Sequence, residues 1–324
     1  MKNLFLIISF FFFHDTSVFS QRIIEVNYVQ DSKGNYNFYC RNNGYCNYIL
    51  EISFTSLENT KSDHALPYRG IVKPGVNQLF KLSKENADNP FQFKYAVNYT
   101  KGCINPKVDI NFTYLLPIAA GKGAQAYVMD SARKSDTGNP SSGGSPQQVL
   151  SATKNWYVIR LKMKPGDTLY AARRGVVTEV DDKSNLNDSG VASAGSENYI
   201  EINHTDCSFG HYGILKKSSA FVKPGQFVEA GQSIGLVGGD RYGRGSEARF
   251  SVYYNVEEEG TPAIGIAGRK VYWEYVPLIF WTKDNGKGSL KHGGVYTSEH
   301  PLAIIIRETK KPETKKGKPK RKLR

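Results

Sequence analysis

Apolar and polar residues alternate with a period of two through most of this sequence, and hardly any stretch repeats with the period of a helix. Alternation of this kind is typical of strands, because successive strand side chains point to opposite faces of a sheet. Three runs in the first hundred residues show it, at 35–39, 48–54 and 91–99, and further strand runs follow between 157 and 238. Gly, Asn and Pro separate the runs. The pattern predicts an all-β chain.

The predicted strands fall into two groups. Residues 21–112 contain several predicted short strands within about ninety residues, and this density of strands favours an immunoglobulin-like β-sandwich. Residues 113–150 form a connecting segment with a flexible loop, because 134–148 are rich in Ser, Gly, Asp and Pro. A second β-domain is predicted over 151–285, followed by a C-terminal extension at 286–308.

The first twenty residues have the layout of a secretory signal peptide. Lys2 precedes an apolar stretch from Leu4 to Phe13, and small residues follow before Gln21, the expected mature start. Ten apolar residues are too few to span a bilayer, which needs about 20. We therefore expect an exported protein, periplasmic or extracellular and associated with the cell envelope, with no transmembrane segment in the mature chain.

The net charge of +13 is concentrated at one end of the chain. Residues 309–324 hold nine basic residues and one acid, Glu313. With no apolar clustering, this basic tail is predicted to be a disordered cationic arm for an anionic envelope polymer or lipid headgroup, or a solubilising tail without a partner. Nucleic-acid binding is not expected, since no recognition helix or aromatic stacking platform is apparent.

The mature chain predicted to be exported contains four cysteines: Cys40, Cys46, Cys103 and Cys207. Export favours disulfides, but the pairing is left open. Asn43-Gly44 predicts a hairpin turn that a Cys40–Cys46 bridge would close, and a bridge from either residue to Cys103 is the alternative. The spacing does not favour a structural zinc site.

A series of glycine-punctuated strands carries the most information about function. It comprises 166–177, 198–204 and 222–235, with Gly238-Gly239 after them, and each glycine falls where a turn is sharp or strands pass closely. The series resembles the β-sheet core of the lysostaphin and LytM-type zinc endopeptidases, which cut peptide cross-links in peptidoglycan. The resemblance implies an antiparallel β-sheet domain with zinc held by a His, an Asp and the second His of a His-x-His motif.

This sequence departs from that family at every functional position. Tyr212-Gly213-Ile214-Leu215 matches a Tyr-x-His-Leu motif, and Glu247-Ala248-Arg249-Phe250 matches His-x-His-Phe. The metal-ligand positions carry Trp156 or Ser151, Arg160 and Arg249, and the two catalytic histidine positions carry Ile214 and Glu247. An arginine keeps its proton and repels a cation, so no metal site is predicted.

Two other arrangements remain open. His204 and His211 contribute a residual metal site if the alignment shifts by one or two residues. Alternatively, Glu247 and Arg249 share a strand face and pair with Arg160, which keeps a polar pocket without metal. Arg160, Tyr212, Glu247 and Arg249 are the candidate groove residues.

The replaced positions favour a catalytically inactive homologue that binds peptidoglycan or regulates a cell-wall hydrolase, without a cofactor. One alternative is an active zinc endopeptidase of peptidoglycan cross-links, with zinc as cofactor. The other is a structural or adhesion protein of the envelope.

Overall fold

A computed structural model describes residues 22–130, 155–184, 197–239, 246–259 and 269–300. The predicted signal peptide at 1–20, the loop at 134–148, Ser151 and the basic tail lie outside these ranges. Every regular element in the described ranges is a strand, which confirms the all-β prediction. These ranges contain no helix with the length and apolarity to cross a membrane.

The N-terminal domain contains seven strands in two antiparallel sheets. They are β1 (Ile24–Gln30), β2 (Tyr36–Asn42), β3 (Tyr48–Glu58), β4 (Thr60–Ser62), β5 (Tyr68–Val72), β6 (Gly75–Lys84) and β7 (Gln92–Lys101). One sheet has the order β1-β2-β6-β4 and the other β5-β3-β7. Side chains from both sheets, such as Phe38 and Leu50, share one buried core. The two-sheet arrangement agrees with a sandwich, while its immunoglobulin-like character stays a prediction.

The hairpin predicted at Asn43-Gly44 is wrong. Strands β2 and β3 flank this turn but belong to different sheets, so the chain crosses from one sheet to the other here. The Asn42 side chain holds the crossover, donating hydrogen bonds to the carbonyl oxygens of Cys46 at 2.9 Å and Val72 at 3.1 Å. An Asn-Gly pair thus specifies a tight turn but not the pairing of the strands around it.

The described residues of the second domain form fourteen strands. They are β8 (Thr113–Leu115), β9 (Gly123–Asp130), β10 (Tyr157–Lys162), β11 (Thr168–Tyr170), β12 (Gly175–Asp181), β13 (Tyr199–Asn203), β14 (Phe209–Gly213), β15 (Phe227–Val228), β16 (Ser233–Leu236), β17 (Glu247–Glu259), β18 (Arg269–Tyr275), β19 (Ile279–Thr282), β20 (Gly286–Gly288) and β21 (Val295–Thr297). The main sheet runs β15-β12-β13-β14-β17-β10-β9-β21, with β18 also on β17. Two small sheets, β11-β16 and β20-β19-β8, complete the domain.

The segments on either side of the predicted peptidase-like domain belong to its sheets. Residues 113–130, predicted as part of a connecting segment, form β8, which is parallel to β19, and β9, which pairs with β10 and β21. The predicted extension at 286–308 supplies β20 and β21. β8, β20 and β21 were not recognised because each is three residues long, too short to show a period.

The second core lies beneath one face of the main sheet. Tyr114, Tyr212, Phe250 and Phe280 are among its fully buried side chains. At Gly175, an added Cβ would collide with the carbonyl oxygen of Asn203 on the neighbouring strand, so the close approach predicted for the glycine motif requires this residue. The opposite face of the sheet is polar and holds the candidate site.

Candidate functional site

The candidate site lies where β10, β17 and β14 run side by side. Arg160 on β10 is directly opposite Arg249 on β17, and Arg249 is opposite Gly213 on β14. Glu247, two residues before Arg249, points to the same face of the sheet because strand side chains alternate. The sheet register therefore brings together three of the four predicted groove residues.

These three residues and Glu197 form one ion-pair network. Arg160 donates from Nε to Glu247 Oε2 at 2.7 Å, and a second guanidinium nitrogen contacts the same oxygen. Arg249 donates from Nε to Glu247 Oε1 at 2.8 Å, and its Nη1 pairs with Glu197. The predicted pairing of Glu247 with Arg160 is present, and Arg249 holds the other oxygen of the same carboxylate.

The network is largely removed from solvent. The Glu247 side chain is 4% exposed, and those of Arg160 and Arg249 are 14% and 18% exposed. The Arg160 guanidinium carbon lies 5.8 Å from the centre of the Tyr127 ring on β9. Because two guanidinium groups neutralise two carboxylates, the charges compensate one another within the site.

Glu197 was missed at the sequence level. Burial raises the pKa of its carboxyl, and the neighbouring Arg249 only partly offsets this effect. The residue stands just before β13, where nothing in the sequence pattern marks it. The charges of the predicted groove residues give the missing signal. Two partly buried arginines and one glutamate carry a net positive charge, so a second acidic residue is expected beside them.

This set of side chains does not fit a zinc ion. Zinc requires neutral imidazole, thiolate or carboxylate ligands in a tetrahedral arrangement, whereas guanidinium groups stand at two of the three positions where the sequence resemblance implies ligands. The third position is Trp156, on the segment that leads into β10, or Ser151. Within the ranges described above, no three His, Cys, Asp or Glu side chains converge as metal ligands.

Tyr212, predicted as a groove residue, lies on the other side of the sheet. Its side chain is fully buried in the core against Phe250, and its hydroxyl accepts a 2.8 Å hydrogen bond from the backbone N–H of Ala172. The motif match located the strand correctly, but Tyr212 alternates with His211 and Gly213, so it faces inward.

Ile214, at a catalytic histidine position of the family, is also buried, with 1% exposed. Its backbone φ is 66°, in the left-handed region that β-branched residues rarely adopt. The Ile214 carbonyl oxygen accepts a 2.8 Å hydrogen bond from Gly238 N–H, which helps to hold this conformation. The side chain thus adds apolar packing where the family places an imidazole.

The two histidines considered for a residual metal site occupy separate surroundings. His204 is 2% exposed, its Nδ1 is 2.9 Å from the carbonyl oxygen of Arg174, and burial lowers its pKa to about 3. His211 stacks on Tyr199 with ring centres 4.8 Å apart, and burial lowers its pKa also. Both imidazoles are therefore neutral at pH 7.

A second charged cluster joins the two domains on the same sheet face. Lys101, at the end of β7, places Nζ 2.6 Å from Oε1 of Glu201 on β13, whose side chain is 2% exposed. Thr178 donates to the same oxygen at 2.7 Å, and the Tyr253 hydroxyl donates to the other. Burial alone would lower the pKa of Lys101, but the carboxylates of Glu201 and Glu179 raise it above its ordinary value.

Further contacts hold the N-terminal domain against this face. The Asn255 side chain donates to the carbonyl oxygen of Lys101, and Arg69 on β5 pairs with Glu257 on β17. An added Cβ at Gly102, which has a φ of 113°, would lie 2.6 Å from Asn255 Nδ2, so the junction requires glycine. Phe209 on β14 packs into the core of the N-terminal domain.

A disulfide between Cys103 and Cys207 crosses the same junction. Cys40 and Cys46 are free and buried, so neither pairing considered from the sequence is present. Burial raises the pKa of these thiols, to about 11 for Cys40 and about 12 for Cys46. The pairing could not be predicted because it depends on how the domains meet, which no local spacing reveals.

Part of the second domain is similar to proteins of a known family. The profile of peptidase family M23 matches residues 154–263. No curated protein matches the chain.

Among solved structures, the catalytic domain of a prophage-encoded M23 protein, EnpA from Enterococcus faecalis, is 21% identical over 35% of this chain and 78% of that one, with a TM-score of 0.25. The catalytic domain of lysostaphin from Staphylococcus simulans is 23% identical over 34% and 75%, with a TM-score of 0.24. A deep-sea M23 metalloprotease, pseudoalterin, is 13% identical over 59% and 96%, with a TM-score of 0.29. Residues 154–263 of this chain are therefore similar to the M23 peptidases.

Proposed function

We propose that this protein is an exported, non-catalytic M23 homologue that binds peptidoglycan in the cell envelope. The main support is the ion-pair network of Arg160, Glu247, Arg249 and Glu197, in which Arg160 and Arg249 stand where the sequence resemblance implies metal ligands. Its guanidinium groups hold their protons at all physiological pH values and cannot serve as metal ligands. The network therefore replaces a metal-bound water with a metal-free polar surface.

The network has two roles in this proposal. It links β10 to β17 and to the segment before β13, which keeps the polar face of the sheet in shape. It also reaches the surface of that face, since Arg160 and Arg249 keep exposed fractions of 14% and 18%. In this proposal a carboxylate of a peptidoglycan stem peptide exchanges with Glu247 or Glu197 for the guanidinium N–H donors.

Metal content and hydrolysis together test the loss of catalysis. Protein purified without chelators should hold substoichiometric zinc by mass spectrometry and release no cross-link peptides from sacculi. A family member with intact ligands is the positive control. One tightly held zinc per chain, or release of cross-link peptides, would contradict the proposal and favour the active endopeptidase.

Sacculus sedimentation tests the binding. We expect the protein to sediment with sacculi, and the Arg249→Ala variant to bind more weakly than a Lys223→Ala variant, whose exposed lysine lies before β15, away from the network. A chain that ends before residue 309 separates the basic tail from the sheet face. Binding that disappears entirely with the tail would leave no role for the network and would favour an adhesion protein.

A further inference from the structure

The far end of the N-terminal domain carries two adjoining cavities. Strand β7 starts beside them at Gln92 and ends at Lys101, next to Glu201 of the second domain. Ten residues of extended strand span roughly 30 Å, so the cavities open well away from the M23 domain and its ion-pair network.

The two cavities have different linings but share two side chains. One, of about 240 Å³, is largely aromatic and includes Tyr28 and Phe93. The other, of about 750 Å³, is polar and includes Gln30 and Lys33. Tyr36 and Phe91 line both, so the two cavities adjoin. The volume of the larger one lies in the range of small-ligand sites, which extends to about 1,000 Å³.

Hydrogen bonds fix the turns around this cavity. Asp31 Oδ1 accepts from the backbone N–H groups of Lys33 and Asn35, both at 2.9 Å, which holds the turn between β1 and β2. On the opposite side, the Asn59 side chain donates to the carbonyl oxygen of Asn86 at 2.8 Å and accepts from its N–H at 2.7 Å. Walls held in this way lower the entropic cost of binding a ligand.

The aromatic part is a connected cluster that stays open to solvent. The Tyr28 side chain is 45% exposed, and its ring meets Phe93 edge-on at 5.2 Å. Tyr36 and Phe91 stack with ring centres 5.0 Å apart. A single exposed aromatic residue is ordinary, but a contiguous group beside fixed polar turns offers a ligand both apolar faces and hydrogen-bond partners.

The charged groups of the lining are mainly basic. They are three exposed lysines and one exposed glutamate: Lys33, Lys84, Lys94 and Glu85. Sugar rings have flat C–H faces that pack on aromatic rings, and their hydroxyl groups bond to amides and ammonium groups. We propose that this cavity binds an oligosaccharide that carries carboxylate groups. The inference goes beyond the proposed function, because the site belongs to the N-terminal domain and does not use the M23 sheet.

Calorimetric titration of the full chain with tetragalacturonate tests the proposal. We expect Tyr28→Ala and Lys33→Glu each to weaken binding about tenfold, as for a central contact of a small interface. Tyr99→Ala is the matched aromatic control, since Tyr99 is 43% exposed on β7 outside the cavity. Lys73→Glu is the matched charge control at an exposed turn. Neutral chitotetraose should bind more weakly than the acidic tetrasaccharide.

Three results would overturn the proposal: no binding of tetragalacturonate, equal losses in the cavity and control variants, or equal affinity for the neutral sugar. Lys33→Glu keeps the test valid if Tyr28→Ala perturbs folding, because Lys33 is an exposed turn residue. Zinc content and sacculus binding of Arg249→Ala are read independently, so failure here leaves the proposed function standing.

Discussion

Replacing Lys101 with methionine should destabilise the protein by about 3 kcal/mol, because a buried carboxylate then loses its ionic partner. Glu201 is 2% exposed, and the side chain of Lys101 is 22% exposed, so solvent screens this pair weakly. Thr178 and Tyr253 would still donate hydrogen bonds to Glu201, which places the expected loss at the lower end of the usual range of about 3–5 kcal/mol for broken buried pairs.

The loss should also depend on pH. In the native protein, burial raises the pKa of Glu201, but Lys101 and the hydrogen bonds more than offset this and hold it below the ordinary 4.5. Its contribution to stability is therefore complete above that ordinary value and is lost as the pH falls through the lowered pKa. In the variant, burial acts without the ammonium group and raises the pKa, so protonation relieves the penalty. The difference between the two proteins should shrink as the pH falls from 7 towards 4.

Urea unfolding of the oxidised protein, followed by fluorescence at several pH values, measures both effects. Lys94→Met is the matched control, since Lys94 is an exposed lysine on the same strand. Adding Glu201→Gln to the Lys101→Met variant should restore part of the loss by removing the unpaired charge. A loss below about 1 kcal/mol, the level of a surface pair, together with an unchanged pH dependence, would refute the reasoning.

Three other predictions concern the network and the cysteines. Arg160→Ala should lower the unfolding free energy by about 2–4 kcal/mol, and Lys162→Ala on the same strand by much less; equal unfolding midpoints in urea would contradict a structural role. Glu197→Gln should lower the unfolding free energy less than Arg160→Ala does, because Arg249 loses a carboxylate partner while burial already disfavours the charged form of Glu197; a loss as large as that of Arg160→Ala would count against this. Thiol titration of denatured, unreduced protein should find two free thiols, and replacing Cys103 and Cys207 by serine should cost about 2–5 kcal/mol; four thiols would disprove the bridge.

The strands and three groove positions could be predicted because both depend on local pattern. Period-two alternation marks β3, β7, β10 and β12 wherever one face is buried. Arg160, Glu247 and Arg249 converge because motif spacing fixes their strands and faces. Tyr212, which belongs to the separate Tyr-x-His-Leu match, was placed on the wrong side, since a one-residue difference along a strand reverses the face.

The remaining features depend on contacts between distant parts of the chain. The Lys101–Glu201 pair and the Cys103–Cys207 bridge arise where the two domains meet, and no local pattern records that meeting. The strand at 113–115 carries too few residues to show a period, and it is stabilised by a partner strand, β19, near the other end of the domain. Distant pairing of this kind is set by tertiary packing rather than by local propensity.

Strands from the beginning of the second domain pair with strands from its end, and this affects how the domain folds during synthesis. Gln125 pairs with Val295, and Thr113 pairs with Ile279. The strands at the start of the domain therefore cannot form these pairs until the strands near its end have been synthesised. Pairing over such separations is slow, because the loop entropy is lost before the contacts form. During synthesis, β8 and the edge of β9 that later pairs with β21 therefore lack partners and can associate with other chains. A fragment limited to residues 154–263 would lack β8 and β9 as well as their partner strands β19 and β21. Expression of the domain alone therefore requires residues 113–300.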